Sequence, residues 1–167
     1  MDLAGASDKS KLDLVSAYLR NRGPDEEHEC TLGGVTIRHY RLAITDASGR
    51  RQPLSNNRSL TAFNGEIYNY KGLNPGQDDL SEIDALQALL QGSQDPCSAF
   101  ARLDGFFSVA HFDQAHRTLF LAVDRHAEKP MFFTIVKGRV IFGSDIKKIC
   151  ALSKRTIPKA ATADLQA

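Results

Sequence analysis

The chain is predicted to be an α+β protein in which two groups of β-strands are flanked by helices, and three observations predict it. Segments with the 3.6-residue apolar repeat of helices stand before, between and after two strand-rich regions. From Thr31 to Thr45 apolar and polar residues alternate around a glycine pair, as in a two-stranded unit with a tight turn. Between Phe106 and Phe142 four further short apolar runs follow in close succession. Periodicity alone leaves open whether these strands build two stacked sheets or a single one.

Taken in order, the elements have local reasons. Ser7 is a suitable cap for a helix over about 8–21, with Leu12, Val15 and Leu19 on one face and Gly23-Pro24 stopping it. Two strands around Gly33-Gly34 carry Leu32, Val35 and Ile37, then Leu42 and Ile44, and a loop spans Asp46 to Arg58. A strand from Leu60 to Phe63 runs directly into Asn64-Gly65-Glu66, and Asn74-Pro75-Gly76 marks a turn. Ser81 caps a helix whose Ile83, Leu86, Leu89 and Leu90 share a face, and Asp95-Pro96 opens a short second one that closes near Gly105. The last four strands are expected at 106–112, 118–123, 131–136 and 139–142, the final pair joined by a Lys137-Gly138 hairpin turn. Ser144 is then expected to cap a helix to about Leu152.

Length and composition narrow the classes. With 167 residues, 42% of them hydrophobic, one compact domain is expected over 1–152, with a polar, alanine-rich and flexible tail over 153–167. A formal charge of +1 without a long run of like charge favours neither nucleic acid nor an anionic membrane as partner. No apolar stretch approaches the ~20 residues of a membrane span, and no secretory signal is visible, so the expected location is cytoplasmic. Cys30, Cys97 and Cys150, odd in number and widely spaced, fit neither a disulfide framework nor the paired spacing of a zinc site. Neither a metal nor another cofactor is expected.

Seven landmarks occur in a fixed order: Arg22-Gly23-Pro24-Asp25, His39-Tyr40-Arg41-Leu42-Ala43-Ile44, Gln52-Pro53, Asn64-Gly65-Glu66-Ile67-Tyr68-Asn69, Leu103-Asp104-Gly105-Phe106-Phe107, Asp124-Arg125 with Lys129-Pro130, and Gly143-Ser144-Asp145-Ile146-Lys147. Over residues 3–150 they resemble the N-terminal domain of asparagine synthetases, a class II glutamine amidotransferase of the N-terminal-nucleophile type. The resemblance decides between the architectures and implies a four-layer αββα sandwich of two antiparallel sheets with outer helices.

In that family a cysteine at residue one attacks the side-chain amide of glutamine, its own α-amine is the general base, and ammonia passes to an ATP-using domain. The resemblance implies that Arg41 pairs with the ligand's α-carboxylate, for which a planar guanidinium is suited. A surface salt bridge is the alternative role for Arg41. Asn64 and the backbone N–H of Gly65 would form the oxyanion hole, although Asn-Gly is also an ordinary turn sequence. Glu66 would complete the pocket wall or stand in solvent, while Tyr68 and Asn69 are expected to be structural.

The chain departs from the family at several points. Aligning Leu3-Ala4-Gly5 with the family's Ile-Ala-Gly places Met1 at the nucleophile and Asp2 at a glycine, and neither side chain can form a thioester. Ser81-Glu82-Ile83-Asp84 exchanges the acids of the family's Ser-Asp-x-Glu, so Glu82 replaces the aspartate that holds the ligand ammonium. Glu82 and Asp84 alternatively serve the helix N-terminus electrostatically. The segment from Asn69 to Ser81 is short for the family, Val123 stands where an arginine is usual, Ala127 where a glycine is usual, and Asp145 where a glutamate is usual. Nothing after Ile149 is long enough for an ATP-binding domain.

The expected function is therefore a catalytically silent, glutamine amidotransferase-like domain that partners a separate ATP-dependent synthetase-type enzyme. An active glutaminase and a non-catalytic sensor of a glutamine-like ligand are the alternatives. A homodimer formed through an exposed sheet edge, or through the face that the family covers with its ATP-using domain, is a further option, with an apolar patch as its signature.

Overall fold

The computed structural model describes residues 23–41, 50–76 and 79–155, together with the backbone of residues 2–6. The expected helix over 8–21 and the residues from 156 onward lie outside the described residues. Two antiparallel sheets stack face to face, with helices on their outer faces, as the four-layer arrangement requires.

The first sheet has five strands. β1 (Asp2–Ala6) is central, pairing with β3 (Val35–Arg41) on one side and β9 (Arg139–Gly143) on the other. β2 (Glu26–Leu32) and β8 (Phe132–Val136) are its two edges. The Gly33-Gly34 turn joins β2 to β3, with Leu32 opposite Val35, where the sequence placed it. β2 begins at Glu26, earlier than the alternation indicates, because Glu26 and Glu27 extend the ladder opposite Arg41 and Tyr40. The Lys137-Gly138 hairpin joins β8 to β9 as expected.

The second sheet runs β4-β5-β6-β7: β4 (Leu54–Ser55), β5 (Ser59–Ile67), β6 (Gly105–Asp113) and β7 (Thr118–Val123). β4 falls inside the segment read as loop, and a two-residue strand carries too little pattern to be recognised. β5 is longer than expected. It continues through Asn64-Gly65 to Ile67, so this dipeptide is extended strand and not a turn.

On the outer face of the second sheet lie α1 (Tyr70–Leu73), α2 (Glu82–Gly92) and α3 (Pro96–Phe100). Ser81 caps α2 through the Asp84 N–H, and Asp95 caps α3 through the N–H groups of Cys97 and Ser98. Ile83, Leu86, Leu89 and Leu90 of α2 bury against Phe63, Ile67, Phe107 and Val109. Each such side chain contributes on the order of 2 kcal/mol of hydrophobic burial. α4 (Ile146–Ser153) covers the first sheet, with Ile149 and Leu152 on Tyr40 and Ile141. Its cap is Asp145, which accepts from the Lys147 and Lys148 N–H groups, where the sequence pointed to Ser144.

Between the sheets, Ile37, Leu60, Ala62, Ala110, Phe112 and Phe142 form an apolar layer. Side chains alternate in a strand, so the same inner face of β3, β5 and β6 also carries His39, Arg41, Asn64 and Ser108. One end of the sandwich interior is therefore apolar and the other polar.

Two backbone positions test this architecture. Gly65 has φ +128, and a Cβ there would overlap the Phe106 carbonyl oxygen on β6. Gly65→Ala is expected to destabilise the protein by about 3 kcal/mol or more. Ala127 has φ 52 where glycine is the unstrained residue, so Ala127→Gly should raise stability by up to about 1 kcal/mol. Urea denaturation of both variants checks these opposite signs.

Candidate active site

The polar end of the interlayer is built from backbone outward. Phe63 and Ile67 direct their N–H groups away from β6, beyond the reach of the two-residue β4. Side chains cap both: Gln52 Oε1 accepts from Phe63 N–H at 2.8 Å and Glu82 Oε1 from Ile67 N–H at 2.9 Å. By the alternation of an antiparallel ladder, the Gly65 N–H between them faces the same open edge. The resemblance assigns this N–H to an oxyanion hole.

Asn64 stands beside this N–H on the inner face, 5% exposed and directly opposite Ser108 of β6. Ser108 is fully buried, and its Oγ has no partner among the described residues. Opposite, across the interlayer, the His39 ring is set against the Phe63 backbone, a contact that works to raise its pKa. Nε2 has no partner among the described residues, so Nδ1 is the nitrogen on the Phe63 side. Burial lowers the His39 pKa to about 3, which keeps the ring neutral.

Arg41, two residues on from His39 and on the same face, ends β3 and lies 3.7 Å from Glu26 Oε2. Arg51 Nε in turn reaches Glu26 Oε1 at 2.5 Å. The Gly23-Pro24-Asp25 landmark explains itself at this point: Asp25 N–H donates to the Arg41 carbonyl at 3.2 Å, and a Cβ on Gly23 would overlap the Tyr40 carbonyl. Only glycine permits that approach. β1 runs antiparallel to β3 with Asp2 opposite Tyr40 and Leu3 opposite His39, so its first residues sit at this polar end.

The structure thus brings His39, Arg41, Asn64 and the Gly65 N–H into one neighbourhood. Glu66, on the same face as Asn64, is exposed beside it. Glu82 is half-buried at the mouth of this edge; burial, and then the neighbouring Glu66 carboxylate, push its pKa up, against the Ile67 hydrogen bond. One of its oxygens is thus engaged by backbone. Asp84 is held by Ser81 Oγ at 2.6 Å and by Arg50 Nε at 3.1 Å. Asn69 is structural, accepting from Asp104 N–H at 3.0 Å and donating to the Arg102 carbonyl at 2.9 Å. Tyr68 is exposed with its ring edge-on to Phe106.

His39 and Ser108 were not singled out from the sequence. His39 lies within a quoted landmark, but only tertiary packing shows that each carries an unpartnered polar atom. The Asp124 landmark is structural too. Burial works to raise its pKa, and backbone N–H groups of His126, Phe107, Glu128 and Lys129 outweigh it, holding the carboxylate ionised. Among the described residues no group of three or more His, Cys, Asp or Glu is placed to hold a metal ion. No described helix is long and apolar enough to cross a membrane.

An αββα sandwich with an Asn-Gly pair on an open inner strand edge, facing an arginine and a buried histidine, defines an N-terminal-nucleophile-type amidotransferase domain. Residues 3–166 match the family described as a glutamine amidotransferase domain, and the chain belongs to that family. It is 32% identical over 155 residues to asparagine synthetase [glutamine-hydrolyzing] 3 of Bacillus subtilis, covering 86% of this chain and 25% of that one. With the asparagine synthetase [glutamine-hydrolyzing] of Asparagus officinalis it shares 30% identity over 156 residues, 86% of this chain and 26% of the plant protein. The chain therefore spans about a quarter of the length of these relatives.

Two solved structures share the fold at 17% identity. They are the glutamine phosphoribosylpyrophosphate amidotransferase from B. subtilis complexed with ADP and GMP, at TM-score 0.68, and the structure titled as the allosteric regulatory enzyme of purine biosynthesis, at 0.70. They cover 91% and 93% of this chain, and 43% and 44% of their own.

Two acid–base consequences follow from the burial of the site. His39, at about 3, and His111, brought to about 4 by burial, both titrate near 6.5 when unfolded. Their folded pKa values are depressed, so the unfolded state binds more protons below pH 6.5. Stability should fall with decreasing pH by up to about 1.4 kcal/mol per pH unit for each histidine until its folded pKa is reached. Glu82 has the opposite sign for an acid, because its folded pKa is raised. Its contribution is greatest below the ordinary carboxylate range and is lost as pH rises through the folded pKa. Glu82→Gln retains an acceptor for Ile67 and should be at least as stable as the parent at pH 7, the difference closing as pH falls below 4.5. Urea denaturation across pH 3 to 8 reads out both effects.

Proposed function

We propose that this domain binds a glutamine-like amino acid without hydrolysing it and acts as a partner of an ATP-dependent, amide-forming synthetase-type protein. One observation carries the proposal. Aligned on Leu3-Ala4-Gly5, the thioether of Met1 stands where the family has its thiol, while Arg41, Asn64 and Gly65, the residues that the resemblance assigns to the ligand, are retained. A thioether has no proton to lose and cannot form the thioester on which amide transfer depends.

In this reading Arg41 receives the ligand's α-carboxylate, Asn64 and Gly65 N–H receive the side-chain carbonyl, and Glu82 takes the ammonium. Its longer side chain and its bond to Ile67 N–H reduce its hold on that group. Glu66 forms the outer wall.

The partner role is supported by the names of the relatives, which are asparagine synthetases about four times as long. It is also supported by Phe133 and Ile135, 64% and 54% exposed on the edge strand β8, an apolar surface that a protein partner, or a second copy, would cover. We place this assembly in the cytoplasm.

Incubation with glutamine should release no ammonia above background, while calorimetry detects glutamine binding that Arg41→Ala weakens by at least about tenfold, or 1.4 kcal/mol. Affinity capture from the native host should retain an ATP-dependent synthetase. Glutamine turnover abolished by Asn64→Ala overturns the silence, and a solitary monomer overturns the partnership.

A further inference from the structure

His39 is in an unusual position for a buried histidine. It faces the interlayer from β3, 2% exposed, with one ring nitrogen on the Phe63 backbone and Nε2 lacking a partner among the described residues. Buried polar atoms are rarely left unpaired. The contact with Phe63, which favours the protonated ring as a carbonyl does, carries structural information as well. The Phe63 N–H is already used by Gln52, so the backbone group left for the ring is the Phe63 carbonyl. Nδ1 therefore carries the proton, and Nε2 presents a lone pair that only accepts.

Position makes this acceptor specific. On an open strand edge the carbonyl of residue 63 and the N–H of residue 65 are neighbours pointing the same way. The His39 ring, anchored at the first, is thus set beside the second, and Asn64 lies between on the inner face. A pure acceptor adjoins two donors, the Gly65 N–H and the Asn64 amide. The fully buried Ser108 Oγ, also unpartnered among the described residues, is a second sign that this layer holds a polar occupant.

We propose that His39 is the residue that distinguishes a carboxamide from a carboxylate in this pocket. The carbonyl oxygen of a primary amide is received by the Gly65 N–H and Asn64, and its NH2 group donates to His39 Nε2. A carboxylate offers Nε2 a lone pair instead of a hydrogen, and the two repel. A site built around an acceptor rejects an analogue that lacks the donor, because its own buried group is left unpaired. The proposal rests on the glutamine-like ligand of the preceding section and adds the reason such a ligand is preferred to its acid.

The test is calorimetric titration of the full chain with glutamine and with glutamate at pH 7, for the parent and for His39→Leu, together with the 15N resonance of His39 Nε2. Glutamine should bind at least about tenfold more tightly than glutamate. His39→Leu should abolish most of that preference, with glutamine binding weakened and glutamate binding tightened as the lone-pair repulsion is removed. In the parent, the Nε2 resonance should move upfield on adding glutamine and stay in place with glutamate, which tests the contact even if the variant fails to fold. Failure of the parent to bind glutamine overturns the ligand reading and this proposal together. Glutamine binding with an unmoved Nε2 resonance, or with the preference intact in His39→Leu, overturns the proposal alone and leaves the ligand reading standing.

Discussion

The organisation of the site depends on an unfinished hydrogen-bond ladder. β5 runs for nine residues, but the strand on its outer side, β4, pairs with only two of them. Backbone N–H groups left bare in an interior cost about 1–3 kcal/mol each, so the remaining edge has to be satisfied by other means. Gln52 and Glu82 reach in from a loop and a helix terminus to cap Phe63 and Ile67. The N–H of Gly65 between them faces the same open edge. An edge that a full strand would have closed is left open at Gly65.

The rest of the sandwich serves to hold that edge in position. Gly65 can occupy its strand position only because it lacks a Cβ, given how near the Phe106 carbonyl lies. α2 packs Ile83 and Leu86 on Phe63 and Ile67, which sets its N-terminus, and with it Glu82, against the end of β5. From the other sheet, the alternation that buries Ile37 in the apolar interlayer also delivers His39 and Arg41 to the polar end. Packing and chemistry are consequences of one strand periodicity on each side of the interlayer.

Much of this was legible in the chain. The helix at Ser81, the short one at Asp95-Pro96 and the Lys137-Gly138 hairpin each have a local signal strong enough to survive in the fold. The ordered landmarks from Arg22 to Lys147 pointed to the architecture and to Arg41, Asn64, Gly65 and Glu66, and the departure at Ser81-Glu82 pointed to Glu82; the fold sets these residues toward one end. β1 was not legible: Asp-Leu-Ala-Gly-Ala has little strand propensity, and it is a central strand because β3 and β9 pair with it on both sides. β4 is too short for a pattern. Asn64-Gly65 carries a turn signal that pairing with Ser108 and Phe107 overrides, and the choice of Asp145 over Ser144 as a cap turns on one residue of backbone geometry.

What the sequence determined by itself was the class of fold and the identity of the chemical groups available, since both depend on side-chain type and spacing. Tertiary structure decided what those groups face. Glu82 could be seen as a displaced ammonium ligand or a helix-terminal charge, and the fold shows it capping a strand N–H. His39 was one letter in a landmark until Phe63, distant in sequence, took one of its ring nitrogens and left the other turned into the interlayer. Such assignments belong to hydrogen bonds between residues far apart in the chain, and a linear pattern carries no record of them.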